Sequence, residues 1–221
     1  MMELVIFDMD GVLVDSEIIA ARVATRALNE AGYETDEAGV LTRFLGISNV
    51  SMVKIVERDT GIRLTDAFLA DLRRDLLAAY EGELQAIPGI DTALDALTAR
   101  RCVASSSNPE RIQRSLEITA LAPYFGTDIF SATMVENGKP APDLFLHAAA
   151  QMRADPARCV VIEDSEAGVT GAKAAGMTVL GFTGGSHVRH DVHGPKLAAA
   201  GADRVFDDMA ALQGLIGEAA A

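Results

Sequence analysis

The chain has 221 residues, 49 % of them hydrophobic and 23 % charged, and a formal net charge of −13. That balance suits a globular protein with one large domain, or one domain carrying an insert, and argues against nucleic acid or an anionic membrane as partner. No apolar run approaches the roughly 20 residues of a membrane helix, and the first strand pattern lies too near Met1 to leave room for a signal peptide; a cytoplasmic monomer is expected.

The first element, Leu4-Val5-Ile6-Phe7, reads as a short buried strand. It runs into Asp8-Met9-Asp10-Gly11, where two carboxylates follow a buried strand at once. Desolvating an unpaired carboxylate is costly, so the strand ends here and its carboxylates face a divalent cation. Oxygen ligands of this hard type suit Mg²⁺. Helix signals follow. Ser16 is placed to cap a helix with Ile19, Val23, Ala27, Leu28 and Ala31 at helical spacing, ending before Gly32. A second helix fits the stretch from Ser48 to Thr60, and a third starts near Thr65 with Leu69, Leu72, Leu76 and Tyr80 on one face. Nothing between Ser16 and Leu84 reads as a strand. Residues 14–85 are therefore read as an inserted helical cap. Residues 1–13 and 86–221 form a three-layer α/β core with a Rossmann-like parallel sheet. Hinges are expected near Val14-Asp15 and near Gln85-Ala86-Ile87-Pro88.

Strand and helix patterns alternate after Pro88-Gly89. Cys102-Val103-Ala104 leads into Ser105-Ser106-Ser107-Asn108. Asp128-Ile129-Phe130-Ser131-Ala132 is followed by Gly138-Lys139-Pro140-Ala141-Pro142-Asp143, and Cys159-Val160-Val161-Ile162 runs into Glu163-Asp164-Ser165. In an open parallel sheet, ligands bind outside the carboxyl ends of the strands. That rule gathers Asp8, Asp10, Ser105, Lys139 and Asp164 at one place. Asp143 is expected to open a helix, and Asp164-Ser165 to cap the next. Cys102 and Cys159 read as two buried thiols, not a disulfide. His187, His190 and His193 lie between Gly184-Gly185 and Gly194-Pro195, in a stretch that reads as loop. A surface or site-rim role is expected for them.

These motifs resemble the haloacid dehalogenase-like hydrolase superfamily, whose phosphatases carry Asp-x-Asp-Gly, a strand-ending Ser or Thr, a Lys and an acidic pair in that order. Asp8-Met9-Asp10-Gly11, Ser105, Lys139 and Glu163-Asp164 fill the pattern. Asp10 to Glu17, Gly138 to Asp143 and Glu163 to Ser165 are similar to the β-phosphoglucomutase-like group. The resemblance covers nearly the whole chain. It implies a phosphatase acting on a small-molecule phosphate ester.

The chemistry follows from the residue types. Asp8 is the candidate nucleophile, forming an aspartyl-phosphate. Asp10 is the candidate acid and base, protonating the leaving alcohol and then taking a proton from water. Lys139 can neutralise charge on the transferring group, and Ser105 can donate to one of its oxygens. Asp8 and Asp164 are candidate carboxylate ligands for Mg²⁺, with Glu163 as an inner- or outer-shell candidate. The resemblance adds the main-chain oxygen of Asp10. Ser106 and Asn108 are candidate substrate-binding residues beside Ser105.

The insert is expected to choose the substrate. Arg43-Phe44-Leu45-Gly46-Ile47-Ser48-Asn49 matches the cap loop that faces substrate in the family. β-Phosphoglucomutases carry an arginine at the place of Asn49, and an amide cannot form that fork on a second phosphate. A mutase is thus the weaker alternative, as is an inactive binding protein on the same scaffold. Haloacid dehalogenation needs neither Asp10 nor magnesium. Arg43 to Leu64 and Gly82 to Ile87 look like bacterial 6-phosphogluconate phosphatases, which implies a sugar-acid phosphate. Its carboxylate would need a cation or donors, and Arg43, Asn49 and Lys54 are the candidates.

Overall fold

A computed structural model of the chain describes residues 2–45, 47–188 and 190–219. The elements run β1 (Leu4–Phe7), α1 (Glu17–Glu30), α2 (Glu37–Phe44), α3 (Asn49–Thr60), α4 (Asp66–Glu83), α5 (Ile90–Ala96), β2 (Arg100–Ser105), α6 (Pro109–Ile118) and α7 (Ala122–Phe125). They continue with β3 (Ile129–Ser131), α8 (Asp143–Gln151), β4 (Cys159–Glu163), α9 (Glu166–Ala174), β5 (Thr178–Phe182), α10 (His190–Ala200), β6 (Arg204–Phe206) and α11 (Leu212–Ala219).

Six parallel strands form one sheet in the order β3-β2-β1-β4-β5-β6. The chain starts in the middle and winds out both ways, so β1 is flanked on each side and buried throughout. Its side chains alternate between faces as a strand requires. Val5 and Phe7 enter one apolar cluster with Leu94, Ile112, Phe125 and Ile216, while Leu4 and Ile6 enter another with Phe145, Val169 and Leu197. Helices α5, α6, α7 and α11 thus cover one face and α8, α9 and α10 the other. This is the expected three-layer α/β architecture.

Four helices separate β1 from β2. Ser48 and Thr65 cap α3 and α4 through their hydroxyls, and Leu72, Leu76 and Tyr80 are buried along α4 as the spacing predicts. Helix α2 was not anticipated; it buries only Val40 and Phe44, too few to mark a period. The segments that enter and leave the four helices lie side by side. Asp15 N donates to Gln85 O at 2.9 Å and Ile87 N to Leu13 O at 3.0 Å. Ser16 precedes α1, but its side chain makes no cap bond to the helix; the hydroxyl is used elsewhere, as described below. Helix α10 runs through Gly194-Pro195, where a loop was expected. Among the described residues no single helix is long and apolar enough to cross a membrane.

Phe7 is fully buried and meets Phe125 edge-on, ring centroids 6.0 Å apart. Phe7→Ala is expected to lower unfolding free energy by about 3–5 kcal/mol, read from urea denaturation.

Candidate active site

Sheet register assembles the site. Phe7 pairs with Val103 on one side and Ile162 on the other. The next residue along, Asp8, therefore comes level with Ala104 and Glu163, one position short of Ser105 and Asp164. The Asp8 amide still donates to Ile162 O at 3.0 Å. The chain then turns sharply at Gly11, whose φ is +74°. A side chain there would collide with Asp164 and His187, so glycine provides both the left-handed backbone and the space.

Lys139 is the hub. Its Nζ donates to Asp8 Oδ1 at 2.7 Å and to Glu163 Oε1 at 2.5 Å, and its side chain is only 2 % exposed. Burial alone would lower its pKa, but Asp8 and Glu163 outweigh that and raise it. The lysine is a fixed cation. Glu163 Oε2 accepts from Ser165 N at 3.1 Å and Ser165 Oγ at 3.0 Å. Ser165, not Asp164, caps α9 through Gly168 N. Asp143 opens α8 as expected, but its side chain receives Asn137 Nδ2 at 3.1 Å instead of capping the helix.

Asp8, Glu163 and Asp164 each offer an oxygen, all within 4.8 Å of one another. Burial raises the Asp8 carboxyl well above its ordinary range; Lys139 opposes this, and Glu163, Asp164 and Asp10 add to it. Asp164 is raised too, first by burial and then by Glu163. Three carboxylates share one lysine, and Asp164 Oδ2 is buried with no hydrogen-bond partner among the described residues. Excess negative charge and an orphaned oxygen fit a hard cation. Beside that oxygen, His187 Nε2 stands at 3.2 Å, and burial lowers the pKa of its imidazole. His187 is buried, so it is neither surface nor rim. The His193 ring packs against it edge-on at 5.7 Å. The side chain of His190 lies outside the described residues, as does Gly46.

Asp10 has a different environment. Ser16 Oγ donates to its Oδ1 at 2.5 Å, Arg111 Nη2 to the same oxygen at 2.6 Å, and Ser107 Oγ to Oδ2 at 2.9 Å. Its carboxylate is thus outside the acidic cluster, leaving only its main chain for a metal. Ser16, Ser107 and Arg111 were missed by sequence reasoning. Ser107 hides among three serines, and Arg111 in Pro109-Glu110-Arg111-Ile112 resembles any charge on a solvated helix face. Ser105 is buried, and its Oγ accepts from Ser107 N at 3.1 Å.

A cleft separates this sheet edge from helices α1–α4. Asp8, Asp10, Ser105 to Asn108 and Arg111 line it from below, and Glu17, Phe44, Asn49, Arg73 and Leu77 from above. Burial, with Asp10 next, pushes the Glu17 carboxyl up to about 8. Asn49 and Ser106 also line the cleft. Asn108 is there too, though its Oδ1 caps α6 by accepting from Arg111 N at 2.9 Å. Arg43 and Lys54 do not line the cleft. Arg43 donates to Tyr33 Oη at 2.7 Å and pairs with Asp59; Lys54 is exposed on α3.

A buried carboxylate just past the central strand, a lysine fixed on it and an acidic cluster that could hold a cation are gathered at one edge of a parallel sheet, as in an α/β hydrolase. The model of the haloacid dehalogenase-like hydrolase family matches residues 2–176, and the chain belongs to that family. The 6-phosphogluconate phosphatase of Escherichia coli K12 is 34 % identical over 196 residues, covering 88 % of each chain. A conserved haloacid dehalogenase-like protein from Agrobacterium tumefaciens has 42 % identity, full coverage of both chains and a TM-score of 0.84. A family hydrolase from Deinococcus radiodurans, solved with bound phosphate and sodium, has 33 % identity, 99 % and 96 % coverage and a TM-score of 0.77.

Gly168 gives a test of the hub. A Cβ at this position would fall on the Glu163 carboxylate. Gly168→Ala is expected to keep its far-UV circular dichroism yet lose about 10- to 100-fold in turnover, the range for groups that orient a ligand. Unchanged turnover would show that Lys139 does not need Glu163.

Proposed function

We propose that the chain is a magnesium-dependent phosphatase of small phosphorylated sugars or sugar acids that works through an aspartyl-phosphate on Asp8. The observation that carries this is the Asp8 carboxylate at the end of the central strand, held by Lys139 and grouped with Glu163 and Asp164. The family membership sets the reaction class, and the similarity to a 6-phosphogluconate phosphatase suggests the substrate. Residues 14–85 act as a cap that closes over the cleft and excludes water. The paired crossing segments at Asp15 and Gln85 are its hinge.

Asp8 attacks phosphorus through the carboxylate oxygen not bound to Lys139. The bond from phosphorus to the ester oxygen breaks, and Asp10 supplies the proton that the leaving alkoxide takes up. Water, giving its proton to Asp10, then cleaves the acyl phosphate and frees Asp8 and inorganic phosphate. Lys139 offsets the charge and fixes Asp8, while Ser105 and Ser106 lie at the cleft floor to receive phosphoryl oxygens. Magnesium, held by Asp8, Asp164 and the main chain of Asp10, would supply further positive charge to those oxygens. Glu163 serves mainly to hold Lys139, since both its oxygens have donors. Asn49 at the cleft wall has no charge for a second phosphate, which disfavours a mutase.

Asp8→Asn is expected to fold and to lose essentially all turnover; substantial activity in the clean variant would remove Asp8 as nucleophile. Chelation should stop turnover and lower the melting temperature, and Mg²⁺ should restore both. The Mg²⁺-induced rise in melting temperature should shrink on acidification. Asp8 and Asp164 hold protons to higher pH than ordinary carboxyls, and metal must displace those protons.

For a sugar acid, the cleft's own cations replace Arg43 and Lys54 as candidates. Arg73 lines the cleft from α4, half exposed, with Glu110 3.9 Å away. Arg73→Ala is expected to cut kcat/KM for 6-phosphogluconate roughly two- to fivefold, the size of a half-exposed ion pair, and to spare p-nitrophenyl phosphate. A wild-type preference for neutral sugar phosphates would overturn the substrate but not the reaction class.

A further inference from the structure

Arg111 has no part in the reaction as written above, yet of the two arginines that line the cleft it is by far the more buried. A single nitrogen, Nη2, donates to Asp10 Oδ1 at 2.6 Å and to the Tyr80 hydroxyl at 2.7 Å. The guanidinium also lies over the Tyr80 ring, 5.4 Å from its centroid. Its side chain is 14 % exposed and that of Asp10 12 %. Burying a cation and an anion this far is repaid only by good geometry. With Tyr80 the pair spans three elements: the loop after β1, helix α6 of the α/β core, and helix α4 above the cleft.

The bonding divides the two oxygens of Asp10. Oδ1 accepts from both Ser16 and Arg111, which uses its two lone pairs. Among the described residues Oδ2 accepts only from Ser107, so one lone pair remains. A proton carried by Asp10 must therefore sit on Oδ2, and only that oxygen can give it up. Ser16 and Ser107 hold one oxygen each through neutral hydroxyls that can themselves rotate. The charged third contact stiffens that arrangement, and a one-ångström misplacement of an acid is costly to rate.

We propose that Arg111 is a positioning residue for the proton-transfer step, and that Tyr80 on α4 holds Arg111 in register with Asp10. This rests on the reading of Asp10 as the acid. In the step concerned, the bond from Asp8 to phosphorus forms, the ester bond breaks, and the Oδ2 proton goes to the leaving oxygen. Arg111 exchanges no proton and touches no substrate atom in this role. Because Tyr80 belongs to α4, the proton donor is aligned only while α4 is seated against α6.

Leaving-group dependence separates positioning from general damage. Benzyl phosphate releases a poor leaving group that needs a proton; p-nitrophenyl phosphate releases a phenolate that does not. Single-turnover release of each alcohol is measured with Mg²⁺ present for the wild type, Arg111→Met, Tyr80→Phe and Asp10→Asn. Arg111→Met is expected to slow benzyl alcohol release by about 100-fold, the lower end of what a positioned acid contributes, and to leave p-nitrophenol release within a few-fold. Tyr80→Phe removes one hydroxyl and no charge, so it folds even if Arg111→Met does not. It should show the same selectivity at smaller amplitude. Equal slowing of both esters, or no slowing of either, overturns the proposal. Asp10→Asn identifies which statement failed. If it is selective for benzyl phosphate and the other two variants are not, the Arg111 role alone falls. If Asp10→Asn is itself unselective, the acid assignment falls and this proposal falls with it.

Discussion

One ammonium group holds the site together. Lys139 reaches into the carboxyl edge of the sheet and is shared by Asp8 and Glu163. Without it, adjacent strands would end in three buried carboxylates facing one another, an arrangement that burial and mutual repulsion forbid. The cost of those charges sets the local architecture. Gly168 is bare so that Glu163 can lie flat over the start of α9, and Gly11 is bare so that Asp164 and His187 can approach the turn after β1. Ser165 caps α9 and binds Glu163 at once. One lysine leaves the cluster still negative, and Asp164 Oδ2, which has no hydrogen bond among the described residues, marks where further positive charge belongs.

The two aspartates of the first motif stand two residues apart and meet opposite surroundings. Asp8 sits among acids and is moderated by a lysine. Asp10 is turned through the Gly11 bend toward two hydroxyls and an arginine. Similar side chains acquire separate chemistry in this way. In the proposed reaction the carboxylate grouped with Glu163 and Asp164 is the one that attacks phosphorus, and the one held by Ser16, Ser107 and Arg111 is the one that moves the proton. The alternation of the strand and the tight turn after it are what place them on different partners.

Strands β1 to β4 and the residues at their ends were legible because each is written in a short local pattern: an apolar run, then a carboxylate, a serine or an acidic pair; β5 and β6 end in no such group and were not read. Sheet order converts those local signals into one site without further information. Helices α1, α3 and α4 were legible from their 3.6-residue period. What escaped were the residues whose partners lie far along the chain. Ser16 has every local mark of a helix cap, but its hydroxyl goes to Asp10. Arg43 looked like a substrate cation and is bound to Tyr33 and Asp59. Arg111 is 101 residues from its carboxylate partner and 31 from its phenol, and no periodicity encodes such a contact. Gly184-Gly185 and Gly194-Pro195 suggested a loop, yet α10 runs through Pro195, and local sequence alone does not account for that.

An excess of 13 negative charges looks ill suited to binding a phosphate ester, yet the acidity is largely a surface property. Exposed pairs such as Arg22 with Glu83, Arg114 with Glu81 and Lys173 with Asp203 lie in water, where screening confines their influence to about 8 Å at physiological salt. Inside the cleft the balance is set by a few groups at short range: Lys139 under Asp8, Arg111 beside Asp10, and Arg73 on the opposite wall. These cations occupy different depths. Lys139 is fixed by the reaction and Arg111 by its own carboxylate, so neither is free to vary with the leaving group. Arg73 sits on α4 with only a loose partner, and the apolar wall formed by Phe44 and Leu77 lies near it. Selectivity among phosphate esters therefore has to be written on the helices above the cleft, where a side chain can change without exposing a buried charge below.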